Sequence, residues 1–193
     1  MKGTDRKQWI LDAALKSFAM FGYKATTMEQ VAKIAKVGKG TIYTFFTTKE
    51  QLFDEIIHQV IMEMKELADH TIDRNLPFLE NLHRVLYGML DFREKHELTI
   101  RLSYEVQDMG TPMAKEGMLK VEKAIRAYIQ KEIERAIERR EIKECDPQVT
   151  AFVILKLYVA LVSDWSKTNE PLSKEQISGI FKLYLAEGLE IKT

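Results

Sequence analysis

The tightest constraint on this chain is the spacing of its helix starts. Thr27-Met28-Glu29-Gln30 and Thr48-Lys49-Glu50-Gln51 both carry the residues of a capping box. In such a box the threonine oxygen accepts from the amide three residues on, while the glutamine reaches back to the cap. With Gly38 between the two boxes, there is room for only two short helices, one through Val31 and Ile34 and one from near Gly38 to near Phe45. Upstream, Ile10, Ala14, Phe18 and Phe21 fall on one stripe at three- and four-residue spacing. They predict a first helix from about Asp5 to Phe21, capped by Gly22. Helices of two turns are marginal in water. These must pack as a compact three-helix unit, joined to the rest by a fourth helix that begins at Thr48.

Beyond residue 50 the segments lengthen. Pro77, Pro112 and Pro147 read as first-turn prolines, the last two preceded by the capping residues Thr111 and Asp146. Met118, Val121, Ile125, Ile129, Ile133 and Ile137 form a long helical stripe. Ser173-Lys174-Glu175-Gln176 opens a last helix carrying Ile177, Ile180, Leu183, Tyr184 and Leu189. Alternating strand patterns between turn dipeptides are absent, so the expected fold is all-α with about nine helices. A chain of 193 residues allows two folding units, a head and a larger body.

Several function classes fall away. Cys145 is the only cysteine, which excludes an intramolecular disulfide framework and a cysteine-rich zinc site and suits a reducing cytosol. Asp12 and Lys16 interrupt the apolar stretch that an export signal would need. The most apolar run, 151–162, contains Lys156 and is shorter than the roughly 20 residues of a bilayer span, so a buried helix and a cytoplasmic protein without a membrane partner are expected. His58, His70, His83 and His96 are scattered, and no Gly-rich phosphate loop follows a strand. Neither enzyme chemistry, nor a metal site, nor a cofactor is expected.

Net charge is zero, but its distribution is not even. Residues 1–50 carry nine lysines and arginines against four acids, whereas the remainder carries 20 against 25. A basic head on an acidic body is the footprint expected when only the head meets phosphate.

Within the head, two short helices joined by Ala35-Lys36-Val37-Gly38 match a helix-turn-helix, whose second helix enters the major groove. At 100° per residue, Ile42, Phe45 and Phe46 point inward. Gly40, Tyr43, Thr44 and Thr47 point outward, with Lys39 and Thr41 flanking. Glycine costs a helix about 1 kcal/mol relative to alanine, which makes sense at Gly40 if a side chain there would hold the backbone off DNA. Tyr43 is placed to donate to a phosphate. Lys49, in the first turn of a helix, is poorly placed against the dipole unless a phosphate docks there. Thr27 adds a further phosphate contact beside its capping role, while Lys39, Thr41 and Thr44 are the candidates for base edges.

The longer string resembles the DNA-binding head of the TetR family. It comprises Ile10-Leu11, Ala13-Ala14, Phe18, Gly22, Thr26-Thr27, Val31-Ala32, Gly40-Thr41-Ile42-Tyr43, Phe46, Lys49-Glu50 and Leu52-Phe53. The resemblance implies a head of residues 1–48 that binds palindromic operator DNA through the third helix. It further implies a body of residues 49–193, in which the last two long helices form a homodimer interface and the middle helices enclose a pocket for a hydrophobic small-molecule effector. For the interface the sequence offers Phe152, Leu155, Leu157, Val159, Ile180 and Tyr184; for the pocket, Tyr87, Phe92, Tyr104, Met109, Met113, Tyr128 and Trp165. The alternative is a constitutive DNA-binding dimer without an effector. The chain departs from the family pattern at Lys36, where Gly is usual, and at Gly38, where Ser is usual. Either Lys36 is left-handed, at a cost of roughly 1–2 kcal/mol, or the turn differs slightly.

Overall fold

A computed structural model describes residues 3–95 and 97–186. His96 and Leu189 lie outside the described residues. The α-helices are α1 (Gly3–Ala25), α2 (Met28–Ile34), α3 (Lys39–Phe45), α4 (Lys49–Thr71), α5 (Phe78–Lys95), α6 (Glu97–Met109), α7 (Pro112–Glu138), α8 (Pro147–Val159) and α9 (Lys174–Phe181). The all-α expectation holds, and no strand occurs among the described residues. Packing divides the chain into two compact units, Met1–Glu63 with Arg93–Glu122 and Met64–Phe92 with Lys123–Thr193, so that α4 and α7 each contribute to both.

The first unit is built around Ile10, Ala14 and Phe18 of α1, Val31 of α2, Ile42 of α3, Leu52, Phe53 and Ile56 of α4 and Leu98 and Leu102 of α6, all fully buried. The Thr27 box forms as expected: Thr27 Oγ1 accepts from Gln30 N at 3.2 Å, and Gln30 Oε1 accepts from Thr27 N at 2.9 Å. The second box forms with a shift. Thr48 Oγ1 accepts from Gln51 N, but Gln51 Oε1 reaches past Thr48 to the amide and hydroxyl of Thr47. Lys36 does adopt the left-handed conformation, at φ 55°. Gly38 caps α3 through its backbone alone.

One apolar assignment is corrected. Phe21 is 39% exposed, and Tyr23 takes the inward place with 6% exposure. Tyr23 is brought inward by Gly22, whose φ of 79° and ψ of 173° break α1 and rotate the residues after it. Thr111, read as the cap of α7, instead has a buried hydroxyl without a hydrogen-bond partner.

In the second unit Phe78, Leu86, Leu90, Ile133, Ile154, Ile177 and Phe181 form the core. Asp146 caps α8, accepting from Gln148 N at 2.9 Å and Val149 N at 3.0 Å, and the Ser173 box starts α9 as expected. Helical backbone continues beyond α8 through a π turn and a 3-10 turn to Lys167. The resulting segment, Pro147–Lys167, is longer than the run read from sequence, and with mean hydropathy 1.5 it is long and apolar enough to cross a membrane by length and composition. Only 22% of its most apolar stretch is buried within the single chain, so this chain alone does not supply the burial expected for it.

Candidate nucleic-acid interface

The recognition candidates sit on α3, a helix of seven residues with one fully inward side chain, Ile42. So short a helix has no stability of its own and takes its position from the elements around it. Its outer face carries Tyr43, 40% exposed, and Thr44, whose hydroxyl donates to the carbonyl of Thr41 at 2.7 Å. A Cβ added at Gly40 would meet nothing within 4 Å, so no packing within the protein demands glycine there. The open surface above Gly40 is a place where another molecule's backbone can approach the helix closely.

Lys39, Thr41, Tyr43 and Thr44 are thus brought together on one short helix with Gly40, and Thr27 and Lys49 stand at the starts of the helices on either side. Two of these residues already have work within the protein. Lys39 Nζ lies 2.5 Å from Glu29 Oε1. Their hydrogen bond, and then their mutual attraction, raise the lysine pKa and lower that of the glutamate. Both side chains are more than half exposed, so the pair is weak enough to open for a competing anion. Lys49 is more committed. Its ammonium donates to the carbonyls of Tyr23 at 3.0 Å and Thr26 at 3.1 Å and lies 4.2 Å from the centre of the Tyr23 ring. The end of α1 therefore accounts for a cation in the first turn of α4 without a phosphate.

Sequence reasoning missed the group that braces this end of α1. The carboxylate of Glu105, on α6 and 5% exposed, accepts from Tyr23 N at 2.6 Å and Lys24 N at 2.9 Å. Tyr23 then donates its phenol to Glu50 at 2.7 Å, and burial first, followed by that bond, raises the phenol pKa. A lone glutamate within a charged helix gives no local signal of such a role.

The seven pocket candidates are divided between the two units. Tyr104 and Met109 are exposed on α6, Met113 is half-buried on α7, and all three belong to the first unit. Tyr87 and Tyr128 are half-buried and donate to Glu175 and Asp69, Phe92 is half-buried, and Trp165 is exposed with its indole N–H on the carbonyl of Glu170. Tyr128 alone of the seven lines a cavity of about 70 Å³ in the second unit, whose apolar wall includes Ile72, Phe78, Leu82 and Ile129 and whose polar wall includes Arg74, Glu132 and Arg135. Of the dimer candidates, Phe152, Val159 and Tyr184 are exposed, at 43%, 37% and 68%, whereas Leu155 is buried and Leu157 and Ile180 are half-buried. Among the described residues no three His, Cys, Asp or Glu side chains gather as a metal site requires.

An all-helical chain with a capped helix-turn-helix and an outward polar recognition face defines a DNA-binding regulator. Comparison with known proteins narrows the class. The model of the tetR family of bacterial regulatory proteins matches residues 10–56, and that of the tetracyclin repressor-like C-terminal domain matches residues 75–189. The chain belongs to the TetR family of transcriptional regulators. It is 54% identical over 185 residues, covering 96% of this chain and 97% of the relative, to an HTH-type transcriptional regulator, YhgD, of Bacillus subtilis. Among solved structures it resembles a TetR-family regulator from Syntrophomonas wolfei with a TM-score of 0.78, 20% identity and 100% of both chains covered. It also resembles the fatty acid degradation regulator FadR from Bacillus halodurans, with a TM-score of 0.75, 19% identity and 95% of each chain covered.

Proposed function

We propose that this regulator is a homodimeric repressor that reads a palindromic operator with α3. The outer face of α3 carries the reading: a glycine open to solvent, flanked by Lys39, Thr41, Tyr43 and Thr44. Tyr43, Thr27 and the third N–H of Lys49 serve phosphate, which sets register, while Lys39, Thr41 and Thr44 face base edges. The functional boundary falls after residue 48, and residues 49–193 supply dimerisation and effector binding. A second copy covers the exposed apolar face of Pro147–Lys167. Lys156 and Asp164 within that segment suit a protein interface better than a bilayer, and a regulator of this kind works in the cytoplasm.

Selection of bound duplexes from a random pool by the full-length protein tests the reading. The expected product is an inverted repeat, its half-sites about one helical turn or a multiple apart. An asymmetric site, or no enrichment, would overturn it.

For release from DNA the effector is a small hydrophobic molecule. The apolar wall of the cavity supports this, as does the likeness in fold to a fatty acid degradation regulator. The small size of the cavity favours the second reading, a constitutive dimer. Lipophilic compounds that stabilise the free protein separate the two. An effector must bind more weakly when operator is present, by the same factor by which it weakens the operator. Equal affinities with and without operator would leave the constitutive reading standing.

A further inference from the structure

We propose that Glu105, a residue of α6 far along the chain from the helix-turn-helix, is a positioning residue for DNA recognition. The bend at Gly22 leaves the amides of Tyr23 and Lys24 without helical acceptors, and both donate to the Glu105 carboxylate, one to each oxygen. This is a charged group with little access to water, held by backbone donors alone among the bonds described for it. Such bonds are stronger than neutral ones and impose direction as well as distance.

Glycine is required at position 22 twice over. The positive φ demands it, and a Cβ there would lie 2.3 Å from Glu105 Oε2. Ala or any larger residue would have to displace the carboxylate.

The bend is also a junction. Thr26, fully buried, donates to the carbonyl of Gly22 at 2.8 Å, and Thr27 begins α2 immediately afterwards. Lys49, at the start of α4, holds the carbonyls of Tyr23 and Thr26. The segment that launches α2, and through it α3, is therefore gripped from two sides, by an ammonium on its carbonyls and by a carboxylate on its amides. The ammonium comes from the helix that comes directly after α3. The carboxylate comes from α6, which packs along α1. Without it, the buried amide of Tyr23 and the partly buried amide of Lys24 lose their partner, and the launching turn loses one of its two anchors. The head would keep its fold through its apolar core but hold α3 less firmly.

Specific binding depends on that firmness and non-specific binding does not, because base contacts need exact placement while phosphate contacts tolerate rotation. The test uses full-length Glu105→Ala and Glu105→Gln with two probes, a duplex selected from a random pool by the wild-type protein and a mixed-sequence duplex of equal length. Near-ultraviolet circular dichroism and thermal melting report the fold. The expected result for a folded Glu105→Ala is a loss of affinity of about tenfold or more for the selected duplex, with less than about a twofold change for the mixed one. Glu105→Gln, which keeps the volume and one acceptor, should show the same selective loss at smaller size, and it serves as the readout if the alanine variant does not fold. Gly22→Ala displaces the same carboxylate, so its loss combined with Glu105→Ala should be less than the sum of the two. Folded variants that bind both duplexes as the wild type does, or lose both in equal proportion, would overturn the proposal. Failure of both Glu105 variants to fold would also overturn it, leaving a purely stabilising residue.

Discussion

Helices α3 and α8 both leave much of their surface uncovered, but with opposite chemistry. On α3 the outward residues are a lysine, a glycine, threonines and a tyrosine, groups that satisfy themselves in water and can exchange water for phosphate or base edges. On α8 the outward residues include Val149, Phe152, Val153 and Val159, whose exposure on an isolated protomer is unfavourable. The helix around Val159 buries Ala151, Ile154 and Leu155 on one side and still presents apolar groups on the other. Exposure alone therefore says little. Its chemistry distinguishes a surface suited to nucleic acid from the apolar one proposed to meet a second copy.

The largest effect expected on this comparison comes from α8. Val159→Asp would place a carboxylate on the proposed dimer face, where desolvating it costs several kcal/mol, so the dimer should dissociate at least about 100 times more readily. Val159 is already 37% exposed, so the monomer should keep its helical circular dichroism while sedimentation reports half the mass. A stable dimer with unchanged operator affinity would remove α8 from the interface.

An intermediate effect is expected at the edge of the head. Lys49→Ala removes the ammonium from two carbonyls, which should cost about 1–3 kcal/mol of stability in thermal or denaturant unfolding. Whether the lysine also serves phosphate is read separately. In that case the slope of log affinity against log salt flattens by nearly one counterion per protomer, and an unchanged slope would confine Lys49 to bracing α1.

The smallest change sharpens the reading of α3. Gly40→Ala adds a methyl group that meets nothing in the protein, so the free protein should be unchanged or more stable by up to about 1 kcal/mol. Operator affinity should nevertheless fall about tenfold, because the methyl group intrudes where DNA approaches. A variant that is more stable and binds operator equally well would show that Gly40 does not face the groove.

Much of the head was legible in the sequence because its determinants are local. Capping boxes at Thr27 and Ser173 and the Asp146 cap involve residues two or three apart, and each formed. At Lys36 the sequence left two outcomes open, a left-handed residue or an altered turn, and the chain takes the first. The periodicity fails at the end of α1: Phe21 continues the stripe but is exposed, and the bend at Gly22 that follows it brings Tyr23 inward. Apolar composition on α8 is legible in the sequence, but periodicity cannot show how many of its sides the chain itself covers.

The sequence by itself determined the helices, their order, the polar face of α3 and the basic head, because each depends on residue type and on neighbours within a turn or two. Only the tertiary structure decided that Glu105 closes the bend at Gly22, that Lys49 braces the carbonyls of α1, and that the predicted pocket residues are divided between the two units while a small cavity opens beside Tyr128. These pairings join residues dozens of positions apart. A carboxylate or an ammonium is compatible with solvent almost anywhere on a charged helix, so its partner is settled by which backbone groups the packed helices leave unsatisfied within its reach.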